Sequence, residues 1–136
     1  LVGIDLSPKM LEIAKKKEVY DVIENIDINK YLNNDLEKYD LFIATDVLIY
    51  IGDLSQLFSN ISGASKSGAV FLFSTESTNT NDYLLANQGR YAHFDKYVNQ
   101  LARLHQFTIF NVENTILRTE EGKGVDGQLF ILKYLG

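Results

Sequence analysis

The chain has 136 residues, 46% of them hydrophobic and 12% aromatic, enough for one core of ordinary size, so one domain or most of one is expected. Thirteen basic residues against eighteen acidic ones leave a net charge of -5, which disfavours nucleic acid or an anionic membrane surface as the main partner and leaves a small molecule or an ordinary protein. Cysteine is absent, so no disulfide framework or thiolate metal site exists, as suits a reducing, cytoplasmic setting; no apolar run approaches the roughly 20 residues of a membrane span, and no signal peptide opens the chain.

Leu1 to Asp5 reads as a short apolar strand with an acidic tip, followed by Ser7 as an N-cap and Pro8 at the first helical position. Lys9 to Lys17 has helical spacing, with Met10, Ile13 and Ala14 on one face and three lysines at the end that suits them. Tyr20 to Asn25 reads as a second strand. Asp27 then starts a turn or caps a short Asn29 to Leu32 segment. Tyr39 to Thr45 is a third strand, Asp53 to Ser65 a helix with Leu54, Leu57, Phe58 and Ile61 on one stripe, and Ala69 to Ser74 a strand buried on both faces, preceded by Gly68 in a turn. The polar stretch Thr75 to Asn87 reads as a loop or mobile lid. Phe94 to Leu104 is helical, ending at His105, where a cation is favourable. Phe107 to Leu117 and Gln128 to Tyr134 read as two strands joined through Glu120 to Gly124. The alternation predicts an α/β fold: a Rossmann-like, doubly wound, mostly parallel sheet with a C-terminal antiparallel pair.

In open parallel sheets ligands sit beyond the carboxyl ends of the strands, and a carboxylate there accepts charge-assisted hydrogen bonds from two neighbouring sugar hydroxyls. Asp5, Asp27 and Asp46 all fall at such ends, and the spacing predicts that they converge on one crevice. Asp46 has no basic partner close in sequence, which favours a role over a costly bare acid. Tyr50 either walls a pocket or packs in the core with its hydroxyl at the rim. Glu76 and Ser77 read as solvated loop residues. Arg90 could hold an acceptor carboxylate or phosphate bidentately or serve in a surface ion pair, and His93 could take a proton or cap the helix after it.

Leu1-Val2-Gly3-Ile4-Asp5, Asn25-Ile26-Asp27-Ile28, Tyr39 to Leu54 and Ser62 to Glu76 resemble, in that order, successive motifs of class I S-adenosylmethionine-dependent methyltransferases. The resemblance implies S-adenosylmethionine as cofactor, with Asp5 on the ribose, Leu6 or Met10 on the adenine, Asp27 at the adenine amino group and Ile28 covering the ring. A carboxylate only accepts, so it suits an exocyclic amine and rejects a carbonyl. Asp46, Val47 and Tyr50 would then lie beside the reacting methyl group, with Tyr50, Arg90 and His93 as candidates on the acceptor side. Gly89-Arg90-Tyr91-Ala92-His93-Phe94, with Tyr50-Ile51-Gly52-Asp53, is similar to a bacterial branch of predicted methyltransferases with upstream tetratricopeptide repeats.

That family's first strand and acidic-x-Gly-x-Gly turn have no counterpart here, so residues 1–136 are expected to be the C-terminal portion of the domain, inactive and weak in cofactor binding when isolated. The strand edges at Leu1 to Asp5 and Tyr39 to Thr45 are expected to pair with each other or to be covered by another chain, which would make a homo-oligomer. The acceptor is expected to be a small molecule or a protein. A nicotinamide-dependent oxidoreductase also carries an acid at the first tip, and a non-catalytic protein-binding domain could keep the same fold; these stand as alternatives.

Overall fold

The computed structural model describes residues 1–136, which form two compact units, Leu1–Leu36 and Glu37–Gly136.

In the first unit β1 (Val2–Asp5), α1 (Pro8–Lys15), β2 (Val22–Asn25) and α2 (Ile28–Asn34) follow one another. Ser7 and Pro8 start α1 as their chemistry requires: the Ser7 hydroxyl accepts from the Met10 amide, and Pro8 stands where no backbone donor is needed. The helix carries the chain back so that β2 lies parallel to β1, in register from Val2 opposite Val22 to Asp5 opposite Asn25. Gly3 makes room for the Tyr20 ring; a Cβ there would lie 2.9 Å from two ring carbons.

The second unit holds β3 (Tyr39–Ala44), a 3-10 turn (Leu48–Tyr50), α3 (Ser55–Ala64), β4 (Ser65–Ser77), β5 (Tyr83–Leu85), β6 (Tyr91–His93), α4 (Asp95–Leu104), β7 (Phe107–Glu120) and β8 (Lys123–Tyr134). Its sheet is built on β4. On one side β8 pairs antiparallel with residues 70–76 of β4, and β7 follows as the edge strand. On the other side β3 runs parallel to the first part of β4, and β6 takes over at Glu76 opposite Ala92. Gly68 supplies the φ of +80° that the turn into the apolar part of β4 needs.

The core lies on one face of this sheet. Phe58 of α3 meets Phe71, Phe73 and Phe107 edge-on at 5.7 to 6.1 Å, and Phe73 stacks on Phe130 at 5.0 Å. Such pairs add about 0.5–1.5 kcal/mol each beyond the area they bury. Tyr97, Val98, Leu101 and Ala102 give α4 its buried stripe.

Several expectations are corrected. Thr75 to Asn87 is not a simple loop: Thr75 to Ser77 extend β4, and β5 with β6 adds a short hairpin to the sheet. β4 is buried along Phe71 and Phe73 but only half-buried at Val70 and Leu72, because only one face receives the aromatic core. β1 pairs with β2, and β3 pairs with β4. Leu41 and Ile43 of β3 are left exposed.

Candidate functional site

At the carboxyl edge of the first unit, Asp5 ends β1, and Asp27 follows two residues after β2 ends at Asn25. Asp5 Oδ1 accepts from the Ser7 amide at 2.7 Å, which turns the chain sharply into α1, while the Asn25 side chain donates to the Asp5 carbonyl at 2.8 Å and ties the two tips together. Asp27 caps α2, its Oδ1 accepting from the amides of Asn29 at 3.0 Å and Lys30 at 3.1 Å. In both residues one carboxylate oxygen is used by the local turn, and the recorded bonds leave Oδ2 out of it. Leu6 and Met10 are exposed, and Ile28 is half-buried at the start of α2. The capping role and a ligand-accepting role for Asp27 are therefore compatible.

At the carboxyl edge of the second unit, Asp46 follows β3 with a φ of +55°, a left-handed conformation that a non-glycine residue adopts at some cost. Its amide donates to Ser74 Oγ at 2.9 Å. No basic partner stands near Asp46 in the chain, but one meets it in space: Arg118, 72 residues on, donates to Asp46 Oδ1 at 2.9 Å. Arg118 also pairs with Glu76 and, at 2.8 Å, with Glu120. Arg90 completes the network, reaching Glu76 at 2.8 Å and Glu120 at 2.6 Å. Two guanidinium groups thus serve three carboxylates, and both arginines are spent on the protein's own acids rather than presented bare to a ligand. Hydrogen bonds from Arg118 and then Arg90 hold the Glu120 carboxyl below its ordinary range. Glu76, read from sequence as solvated, is shared by both arginines, as Glu120 is, and is mostly covered.

Between Asp46 and Leu54 the chain carries the exposed side chains of Val47 and Tyr50, the latter 71% exposed, while Leu48 and Ile49 anchor it in the core. His93 is fully buried. Its Nε2–H donates to the carbonyls of Ile51 at 2.9 Å and Gly52 at 3.0 Å, and its Nδ1 is buried without a hydrogen-bond partner. Burial pushes its pKa below the ordinary value, so the neutral ring is favoured. Neither nitrogen is placed to exchange a proton with solvent, and Phe94 rather than His93 occupies the cap position of α4. His105 does end that helix, but burial lowers its pKa as well, against the cationic form expected there. Farther along, Tyr97 accepts from the Leu54 amide at 3.0 Å and donates to Asp53 Oδ1 at 3.1 Å. Hydrogen bonds from Ser55, and more weakly from Tyr97, keep the Asp53 carboxyl below its usual pKa.

A shallow groove of about 570 Å³, lined by Ser77, Asn114, Thr115, Ile116, Asp126 and Gly127, lies on the β7–β8 side. None of the side chains chosen from sequence as catalytic or cofactor-binding lines it. What sequence reasoning missed is Arg118 and Glu120, which share a strand face at the i, i+2 spacing just before the Glu121-Gly122 turn.

The family model described as a methyltransferase domain matches residues 1–73, more than half of the chain. Among solved structures, the chain is similar to a SAM-dependent methyltransferase from Methanosarcina mazei, at 16% identity and a TM-score of 0.71 over 98% of this chain and 81% of that one. It is similar also to an S-adenosylmethionine-dependent methyltransferase from Clostridium acetobutylicum, at 17% identity and a TM-score of 0.72, with 99% of this chain and 75% of that one covered. The N-methyltransferase NodS from Bradyrhizobium japonicum, in complex with S-adenosyl-L-homocysteine, matches at 18% identity and a TM-score of 0.72 over 98% of this chain and 66% of its own. No curated protein matches in sequence. These likenesses establish the fold, an α/β sheet of the class I methyltransferase type. They lend no support to the finer resemblance to the repeat-bearing branch, nor to the nicotinamide or binding-module alternatives.

Proposed function

Because this chain belongs to the methyltransferase-domain family, we propose that it serves S-adenosylmethionine-dependent methyl transfer to a small-molecule acceptor. The observation that carries the reading is the in-register parallel pairing of β1 and β2, which brings Asp5 and Asp27 to one carboxyl edge, each with a carboxylate oxygen outside its own turn. Asp5 accepts from the ribose hydroxyls and Asp27 from the adenine amino group, with Leu6, Met10 and Ile28 as the apolar surface for the ring. When bound, the cofactor supplies an already activated methyl on a sulfonium. The protein's share is chiefly alignment. As the resemblance implies, Asp46, Val47 and Tyr50 would be the residues on the side of the transferred methyl and the acceptor.

Titration calorimetry on the intact protein tests this. S-adenosylmethionine should bind and NADH should give no heat, and Asp5→Ala should weaken the former by about tenfold or more, the value of a charge-assisted hydrogen bond. Binding of NADH in its place would overturn the reading.

A further inference from the structure

The segment Asp46 to Leu54, which carries Val47 and Tyr50, is held by side chains that come from much later in the chain. Arg118 of β7 and Ser74 of β4 fix its start through the Asp46 side chain and amide. Tyr97 of α4 fixes its end through the Leu54 amide and the Asp53 carboxylate. His93 of β6 fixes its middle through two successive carbonyls, Ile51 and Gly52. Tyr91 and Tyr83 press on the same place: a Cβ on Gly52 would stand 2.7 Å from a Tyr91 ring carbon and 3.1 Å from two carbons of Tyr83. Burying an imidazole costs free energy unless it is used, and the one nitrogen that is used points only at this backbone.

We infer that His93 is a positioning residue for methyl transfer: by donating from Nε2 to the carbonyls of Ile51 and Gly52, it sets the course of the segment that presents Tyr50 and Asp46 at the reacting end of the site. The inference rests on the methyl-transfer reading above. It gives the ring a task that needs the neutral form and a donor at Nε2 and that involves no proton exchange. Glutamine can place an amide N–H near the position of Nε2, whereas leucine fills the volume without a donor.

The test uses the intact protein and two probes, S-adenosylmethionine and S-adenosylhomocysteine, which share the adenosyl part and differ in the methyl and the charge on sulfur. His93→Leu should shift the ratio of the two affinities by about fivefold toward S-adenosylhomocysteine, the worth of one well-placed hydrogen bond, and His93→Gln should restore it. Hydrogen exchange of the peptide covering residues 46–54 should rise in His93→Leu and return in His93→Gln. Should His93→Leu fail to fold, Gly52→Ala and Tyr97→Phe disturb the same segment and should shift the same ratio. An equal loss for both probes, or no rescue by a folded His93→Gln, or an unchanged ratio in Gly52→Ala and Tyr97→Phe, overturns the inference and leaves the methyl-transfer reading standing. Failure of the parent protein to bind either probe overturns both.

Discussion

Asp27 offers a way to separate capping from ligand binding within a single side chain. Its Oδ1 accepts from the amides of Asn29 and Lys30, which are 3.0 and 3.1 Å away, and its second oxygen is assigned to the adenine amino group. Asn caps helices about as well as Asp, so Asp27→Asn should leave the denaturation midpoint unchanged, whereas Asp27→Ala should cost about 1 kcal/mol through loss of the cap. Binding should divide differently. In the amide the group facing the ligand becomes N–H₂, a donor set against a donor, so Asn loses the charge-assisted bond as completely as Ala does. At about 1.5–3 kcal/mol for a hydrogen bond to a charged group, S-adenosylhomocysteine should bind roughly 10- to 150-fold more weakly to both variants. Urea denaturation and titration calorimetry on the same preparations read the two quantities. An Asp27→Asn protein that folds normally and binds within about twofold of the parent would reduce Asp27 to a helix cap and refute the assignment.

Gly127 faces the backbone of β4, and a Cβ there would lie 2.5 Å from the Thr75 carbonyl and closer still to Leu117. Gly127→Ala should therefore lower stability by about 1–3 kcal/mol in urea, and a neutral effect would mean that β4 and β8 separate more easily than their pairing implies. Burial lowers the pKa of both His93 and His105 in the folded chain, so the unfolded chain takes up the protons first. Stability from this source is complete above the unfolded value of about 6.5 and falls as the pH drops below it toward the folded values. The urea midpoint should decline from neutral to mildly acid pH, less so in His93→Gln, and an unchanged slope in that variant would place the titration elsewhere. Arg118→Met should lower the midpoint at low salt and narrow the gap between low and high salt, because it leaves Glu76 and Asp46 with one fewer cation; an unaltered salt response would show that the network contributes nothing measurable.

Local chemistry was legible in the sequence where neighbours in the chain decide the structure. Ser7 and Pro8 start a helix, Gly68 takes the positive φ just before the apolar part of β4, and the Leu57, Phe58 and Ile61 stripe faces the core. Partners far apart in the chain were not legible. Nothing near Asp46 announces Arg118, and the carbonyls that hold His93 belong to backbone, which leaves no mark on residue type. The β5–β6 hairpin was hidden because its strands have only three residues each, β5 following a run of Ser, Thr and Asn and β6 existing by pairing with the far end of β4. Asp27 was read as either cap or ligand, when the two oxygens of a carboxylate allow both.

A crystal structure of the intact protein with S-adenosylhomocysteine bound is the most direct test. It should place both ribose hydroxyls on the Asp5 carboxylate and the adenine amino group on Asp27. A nucleoside lying elsewhere, with Asp5 and Asp27 left to their turns, would contradict the account at its root.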